Sequence, residues 1–254
     1  MGRILVFANQ KGGVGKTTSA VNTAASLGIL GYRTLLVDMD PQGSATGGVG
    51  VAKKSLRYTV RDLLAGGCRA KEAILATSFQ NLSLIPANAT LAGAEFDLLG
   101  VEEGVGATLA EALGSVRSDY DYILIDCPPS LGMLTVNALA ASDGVIIPLP
   151  CEYYALEGLT QLTLTVARVK KRFNPRLVTT GILVTMYNGR LSLSAQIMAE
   201  LEKHYRDRLF RTTISRNVRL CEAPSFGMPV YYYDKSAKGA KEYTDFAREL
   251  LTRA

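Results

Sequence analysis

The chain has 254 residues, of which 48% are hydrophobic and 20% are charged, and its formal net charge at pH 7 is +5. This length suits one large α/β domain or two small ones. The sequence contains no run of about eighteen apolar residues, so we expect no transmembrane helix. A single histidine, His204, and four scattered cysteines argue against a histidine-based triad and against a clustered metal site. Because the N-terminal stretch lacks the features of a secretory signal peptide, we expect a cytoplasmic protein.

The charges are unevenly distributed along the chain. Residues 1–150 contain 11 Lys and Arg against 13 Asp and Glu, which gives −2, whereas residues 151–254 contain 17 against 10, which gives +7. This excess indicates either a polyanionic partner for the second half or simply solvated helix faces. Charge alone favours the solvated faces, so a nucleic-acid partner needs further support.

Six short apolar runs predict buried strands, at residues 3–8, 33–38, 82–86, 122–126, 144–149 and 181–186. Amphipathic segments between and after them predict helices, at residues 17–30, 106–117, 131–142, 155–173 and 191–205. This alternation predicts an α/β fold, with a mainly parallel sheet and helices on both of its faces. Because no linker or repeat divides the chain, we expect residues 1–254 to form a single domain, without an N-terminal helix-turn-helix extension.

Unusual residues follow three of the predicted strands. NQKGGVGKTT comes after the first, DMDPQG after the second and CPPSLG after the fourth. In open parallel sheets, ligands bind at the carboxyl ends of the strands. We therefore expect these three segments to meet at one binding site.

The glycine-rich segment at residues 10–18 reads QKGGVGKTT. Its glycines let the backbone curl so that N–H groups point at an anion, and the following helix directs its positive end to the same point. Lys16 supplies a mobile charge for the β- and γ-phosphates, and Thr17 offers a hydroxyl to Mg²⁺. An ordinary glycine-rich turn is the alternative, which the position between a strand and a helix disfavours. The nucleotide-binding residues predicted here are Lys11, Gly12, Gly13, Val14, Gly15, Lys16, Thr17 and Thr18.

The loop departs from the strict pattern G-x-x-x-x-G-K-[ST], because Gln10 stands at the position of the first glycine and Lys11 is an additional lysine. KGGVGKTT resembles the deviant Walker A motif of the ParA/MinD group of P-loop ATPases. Four further segments are similar to the chromosomal ParA, or Soj, branch of that group: DMDPQG at 38–43, CPPSLG at 127–132, CEYYALEGL at 151–159 and RNVRLCEAPSFG at 216–227. The resemblance covers nearly the whole chain.

The resemblance implies that two subunits enclose two ATP molecules and that Lys11 reaches the phosphates of the partner's nucleotide. A cation supplied in trans ties catalysis to assembly, because phosphoryl transfer needs positive charge against developing negative charge. From the residues alone, Lys11 could equally be a surface lysine.

Three aspartates follow predicted strands beside the glycine loop. Any one of them could be a helix cap, but three together predict metal and phosphate chemistry. The resemblance implies that Asp40 orients the attacking water, that Asp38 lies near the metal, and that Asp126 is the Walker B carboxylate holding Mg²⁺ through a water. Because no histidine or strong general base is available, we expect slow ATP hydrolysis. The predicted catalytic residues are Lys11, Lys16 and Asp40, and the predicted metal residues are Thr17, Asp38 and Asp126.

By the same resemblance, residues 127–132 form a switch that senses the γ-phosphate, with a plain rigid loop as the alternative. The adenine is expected to lie against Met186, Ser215 and Asn217. Ser215 departs from the family pattern, which usually has a proline at that position.

The resemblance also implies non-specific binding of double-stranded DNA by the ATP-bound dimer, on the nucleoid, with a ParB-type protein that stimulates hydrolysis. The predicted DNA-binding residues are Arg190, Arg216, Arg219 and Lys238. A few arginines per subunit, doubled by a dimer, make a surface that follows phosphates.

Three other functions share parts of this pattern. A MinD-like membrane ATPase would end in a basic amphipathic helix, whereas the apolar stripe of Tyr243, Phe246, Ala247, Leu250 and Leu251 favours core packing, so we expect no membrane partner. A reductase of the nitrogenase-iron-protein type would bridge an iron–sulfur cluster through paired cysteines, and Cys127 and Cys151 do not fit that arrangement. A metabolic kinase would need an acceptor pocket, which no motif marks.

Overall fold

The computed structural model describes residues 2–98, 105–152 and 155–253. Within these ranges, seven strands form one sheet in the order β3-β4-β2-β5-β1-β6-β7. Every neighbouring pair is parallel except β3 and β4, which are antiparallel. The strands are β1 (Arg3–Phe7), β2 (Thr34–Asp38), β3 (Leu75–Ala76), β4 (Leu82–Ile85), β5 (Tyr122–Asp126), β6 (Gly144–Pro150) and β7 (Val178–Thr185).

The α-helices of the described ranges connect these strands or follow the last of them. They are α1 (Lys16–Ile29), α2 (Ser44–Gly48), α3 (Val60–Leu64), α4 (Ala70–Ala73), α5 (Leu91–Asp97), α6 (Ala107–Gly114), α7 (Met133–Ala140), α8 (Ala155–Arg172), α9 (Ser192–Tyr205), α10 (Val218–Glu222), α11 (Val230–Tyr233) and α12 (Lys238–Thr252). Single 3-10 turns occupy Lys53–Ser55, Arg206–Arg208 and Ala223–Phe226. Among the described helices, none combines the length and apolar character that a membrane span requires.

The sheet separates two hydrophobic cores, because successive side chains of a strand point to opposite faces. In β1, Ile4 and Val6 pack into the core that α3 and α5–α9 cover, whereas Leu5 and Phe7 pack into the core that α1 and α10–α12 cover. The central strands β1, β2 and β5 are buried almost throughout. Such double coverage explains why these strands read as continuous apolar runs rather than as alternating patterns.

The structure confirms the predicted α/β class and all six predicted strands, with ends that differ by at most three residues. The five predicted helices are also present, although α6 is shorter than expected and α1 begins one residue earlier, at Lys16. The apolar stripe near the end of the chain is core, as predicted: Tyr243, Phe246, Ala247 and Leu250 are buried in α12, and Leu251 is partly buried against the same core. The short strand β3 and the short helices α2–α5, α10 and α11 were not predicted.

Candidate functional site

Three parallel strands bring the predicted site residues to one edge of the sheet. Phe7, the last residue of β1, lies in register with Asp126 of β5, and Asp38 of β2 lies in register with the same Asp126. The glycine loop therefore starts beside two carboxylates that come from strands 88 positions apart in the chain. The predicted meeting of these segments is confirmed.

Two hydrogen bonds fix the glycine loop, and the helix end that follows it is available to bind an anion. Asn9 Nδ2 donates to the Pro148 carbonyl at 2.8 Å, and Thr185 Oγ1 donates to the Val14 carbonyl, also at 2.8 Å. Gly15 has φ of 88°, a left-handed conformation that L side chains rarely adopt, and it caps α1 without a side-chain hydrogen bond. The first N–H groups of α1 are thus left for a ligand, which favours a phosphate at this helix end.

The Lys16 ammonium is buried and lies against its own loop. Its Nζ donates to the Lys11 carbonyl at 2.9 Å, and the residue is only 6% exposed. Burial lowers the pKa of Lys16, and the negative charge of Asp126 is the main opposing influence. A neutral carbonyl is a weaker partner than a phosphate oxygen, so an anion in the loop would draw this ammonium to itself.

Lys11 is bound within its own chain in this structure. Its Nζ lies 2.8 Å from Oε2 of Glu152, just after β6, and both side chains are a little under half exposed, at 43% and 44%. Sequence reasoning missed Glu152, although it is the second residue of the segment CEYYALEGL. A carboxylate directly after a strand of the site was the available signal. Tyr153 and Tyr154 of that segment lie outside the described residues.

Asp38 is fully buried, and its carboxylate accepts hydrogen bonds from neighbouring groups of the same chain. It accepts hydrogen bonds from the Thr46 hydroxyl at 2.7 Å, from the Thr46 N–H at 2.8 Å and from the Asp40 N–H at 3.1 Å. Burial raises the pKa of Asp38 to about 6. These contacts tie the segment after β2 together, and the predicted position of Asp38 near a metal stays a prediction.

Asp126 is also fully buried, but neither of its carboxylate oxygens has a hydrogen-bond partner within the described chain. Burial, and secondarily the charge of Asp38, raises the pKa of Asp126 well above its usual range, while Thr17 and Lys16 lie close enough to oppose that shift. A buried acceptor without a partner is rare in proteins and calls for a missing water or ion. The residues present therefore fit a hydrated Mg²⁺ beside Thr17.

No group of three or more histidines, cysteines and acidic residues within the described ranges could enclose a metal ion by itself. A magnesium site would not need such a group, because Mg²⁺ keeps several waters and takes further oxygens from a phosphate ligand. Asp40, which is 7% exposed, has Oδ1 2.9 Å from the Gln42 N–H and leaves its other oxygen for a water.

Two cavities adjoin along this edge of the sheet. One, of about 240 Å³, is lined by the glycine loop and by Lys16, Thr17, Asp40 and Pro129; the other, of about 360 Å³, is lined mainly by residues 214–221 and Tyr243. Gly15, Thr18 and Met186 line both cavities. Together the two cavities form one groove, with a cationic end suited to phosphates and a more apolar end suited to a base.

A second, larger groove, of about 1260 Å³, lies between α9 and the end of α12 and contains none of the predicted site residues.

The three residues predicted to meet the adenine line the more apolar cavity. Met186 holds φ of 54°, which is unusual for a residue other than glycine. The Ser215 hydroxyl donates to Glu242 of α12 at 2.5 Å, and its N–H donates to the same carboxylate at 2.9 Å. Asn217 Oδ1 accepts from the Arg219 N–H at 2.8 Å and so caps α10, which leaves its side-chain NH₂ for a ligand.

The segment at residues 127–132 lies against the glycine loop. Its Cys127 N–H donates to the Phe7 carbonyl at 3.3 Å, and Pro129 lines the smaller cavity. The Thr135 hydroxyl of α7 donates to the Ser130 carbonyl at 2.7 Å. A change at the phosphate end could therefore reach α7, while the switch role itself stays a prediction.

The four residues predicted to bind DNA are all exposed, and they differ in their partners. Arg219 of α10 pairs with Glu222 and Asp234, and Lys238 of α12 lies 3.5 Å from Glu242. Arg190 follows β7 and Arg216 precedes α10, and within the described chain neither guanidinium has an ion pair. Sequence reasoning missed the acidic partners.

Comparisons with known proteins agree with this geometry. The family described as AAA domain matches residues 2–179. The chain is 50% identical to "Sporulation initiation inhibitor protein Soj" of Bacillus subtilis (strain 168), covering 98% of both chains. It is 47% identical to "Chromosome partitioning protein ParA" of Myxococcus xanthus (strain DK1622), covering all of this chain and 89% of that one. A crystal structure of cobyrinic acid a,c-diamide synthase from Mycobacterium smegmatis, with a bound ATP analog and magnesium, superposes with a TM-score of 0.86 at 38% identity, covering 99% of this chain and 95% of that one.

Proposed function

Because this chain belongs to the Soj/ParA family of chromosome-partitioning ATPases, we propose that it hydrolyses Mg²⁺-ATP slowly and binds double-stranded DNA as an ATP-bound homodimer. Hydrolysis would open the dimer and release the DNA, and a ParB-type protein would stimulate that step. The cycle would place the protein on the nucleoid while ATP is bound. It requires ATP binding, assembly of two subunits and DNA binding in that order.

The observation that carries the proposal is the two-part groove around Gly15. One end holds the glycine loop, Lys16 and Asp40, and the other holds Met186 and Asn217. A nucleotide with its phosphates on the free N–H groups of α1 would place its base at the more apolar end. The residues proposed to bind it are the loop residues 11–18 together with Met186, Ser215 and Asn217.

Thr17 and Asp126, the latter through a water, would hold Mg²⁺, with Asp38 behind them. Bound there, the ion would neutralise charge on the phosphates. Asp126 is suited to this task because its two oxygens have no other partner in the described chain. Asp38 would act mainly by holding the segment that carries Asp40.

Asp40 would orient the attacking water, and Lys16 would stabilise charge on the transferred phosphoryl group. Lys11 would supply the same kind of charge to the partner subunit's nucleotide once it leaves Glu152. This arrangement works by positioning and electrostatics rather than by strong base catalysis, which supports slow turnover.

Arg190, Arg216, Arg219 and Lys238 are proposed as the DNA-binding residues of each subunit. All four are exposed cations, as contacts with phosphate oxygens require. A dimer has twice as many of these cations as one subunit, so ATP-dependent assembly would raise the affinity of the surface for DNA. Binding governed by phosphate contacts should weaken steeply as salt is raised.

The alternatives receive less support. The apolar stripe of α12 is buried, so this helix offers no apolar face to a membrane. Cys127 and Cys151 are buried, which does not suit a cluster shared with a partner subunit. The solved relative named as a synthase is 38% identical, below the 50% identity to Soj, so partitioning is the better-supported function.

The test is the fluorescence anisotropy of a random-sequence DNA duplex with ATP, with ADP and without nucleotide, at low and high salt. We expect salt-sensitive binding only with ATP, together with slow phosphate release and an ATP-dependent increase in molecular mass. Liposome sedimentation under the same conditions is the control. ATP-dependent binding to liposomes but not to DNA would replace this proposal with a MinD-like function.

A further inference from the structure

The guanidinium of Arg219 is held by two acidic side chains of its own subunit. Its NH1 lies 2.7 Å from Oε2 of Glu222, one turn further along the same short helix, and its Nε lies 3.4 Å from Oδ2 of Asp234. The Tyr233 hydroxyl donates to the same Glu222 oxygen at 3.2 Å. The hydrogen bond from Arg219 holds the pKa of Glu222 below its usual value, so this carboxylate is charged at neutral pH.

These contacts use the donors through which an arginine binds phosphate. A guanidinium binds a carboxylate and a phosphate with the same N–H groups, so the two compete for it. Arg219 is 51% exposed, so a phosphate can reach it, but it must displace Glu222 to obtain the better geometry. Arg190 and Arg216 have no carboxylate in this position within the described chain.

We propose that Glu222, assisted by Asp234, competes with DNA phosphate for Arg219 and thereby sets the DNA affinity of the dimer. The inference rests on the proposed DNA-binding function and adds to it a residue that weakens binding. In a single subunit, the competitor makes Arg219 a poor phosphate ligand. In a dimer the same competition acts in both subunits, so its effect on DNA affinity counts twice.

The test is Glu222→Gln, measured by duplex anisotropy with ATP at low salt. Glutamine keeps the size of the side chain and removes the charge, so we expect tighter binding by roughly two- to fivefold per subunit, the range that a partly exposed ion pair supports. In the dimer the factors of the two subunits multiply. The gain should shrink at high salt, because salt already screens the competing pair in the unmodified protein. The ATP affinity should not change.

Two comparisons separate competition for Arg219 from a general gain in positive charge. Glu72→Gln is the matched control, because Glu72 also pairs with an arginine three residues away, Arg69, and its helix α4 packs on the opposite face of the sheet from α10. It should leave DNA binding unchanged. In an Arg219→Ala background, Glu222→Gln should lose most of its effect.

An equal gain from Glu222→Gln with and without Arg219 would overturn the inference and leave only long-range repulsion. Unchanged affinity in Glu222→Gln would overturn it as well, provided that the unmodified protein binds DNA with ATP. If the unmodified protein does not bind DNA under any nucleotide condition, the proposed function fails, and the inference fails with it.

Discussion

Replacing Asp126 with asparagine should stabilise the nucleotide-free protein while it abolishes ATP hydrolysis. The carboxylate is fully buried and its two oxygens have no hydrogen-bond partner in the described chain. Asp38, its neighbour across β2 and β5, adds a second buried carboxylate. In the absence of Mg²⁺, ionising Asp126 therefore costs more free energy in the folded state than in the unfolded state, where water hydrates the charge.

The expected gain is the difference between a buried charge and a buried neutral amide that both lack a partner, and the lost attraction to the Lys16 ammonium reduces it. Asparagine removes the charge and keeps the shape, so we expect the free energy of unfolding to rise by about 1–3 kcal/mol near pH 8. For a chain of this size, each kcal/mol corresponds to a shift in Tm of roughly 2–4 °C.

The pH dependence gives a second signature. Because burial raises the pKa of Asp126 in the folded state, the penalty of the charged form is fully present above that pKa and disappears as the pH falls below it. The stability advantage of Asp126→Asn should therefore be largest near pH 8 and shrink towards about pH 5.

The measurement is urea unfolding, followed by circular dichroism, of nucleotide-free protein with divalent metals chelated. Asp97→Asn is the control, because Asp97 is exposed and should change stability by less than about 0.5 kcal/mol. An Asp126→Asn protein that is less stable near pH 8, or equally stable at both pH values, would refute the reasoning. Its phosphate release with Mg²⁺-ATP should fall to background.

Three further changes test other parts of the site and fold. Lys16→Ala should weaken ATP binding by about 10- to 100-fold, the value of a charge-assisted contact, and unchanged affinity in a nucleotide titration would contradict the phosphate role. Asp40→Ala should slow phosphate release by about 100-fold or more and keep ATP-dependent DNA binding; normal turnover would remove Asp40 from catalysis. Phe246→Ala should cost about 3–5 kcal/mol in urea unfolding, because its ring is buried and lies 4.8 Å from the Phe210 ring, and a loss below about 1 kcal/mol would contradict the core packing of α12.

The central strands could be predicted because the sheet is covered on both faces. Each of β1, β2 and β5 must then be apolar along most of its length, which leaves an apolar run that is easily recognised in the sequence. β3 could not be found in this way, since two residues at the sheet edge show no periodicity. Short helices such as α10 are stabilised by their caps and tertiary contacts rather than by a repeated apolar pattern.

The backbone arrangement of the candidate site could also be predicted from the sequence, because glycine positions and strand ends fix where its segments meet. The partners of its side chains could not be predicted in this way. Lys11 and Glu152 are 141 residues apart, and Ser215 and Glu242 are 27 apart, so only the fold brings each pair together. Arg219 and Glu222 are the exception: a spacing of three on one helix face was a readable signal.

Three of the cations with proposed roles contact an oxygen acceptor of their own chain. Lys16 lies on a loop carbonyl, Lys11 on Glu152 and Arg219 on Glu222. The two half-exposed ion pairs are weak, because water screens them and long side chains lose freedom in forming them. A phosphate can therefore displace such a partner at small cost. Since Lys11 would act on the nucleotide of a partner subunit, the loss of its pair with Glu152 would be compensated only after two ATP-bound subunits have met.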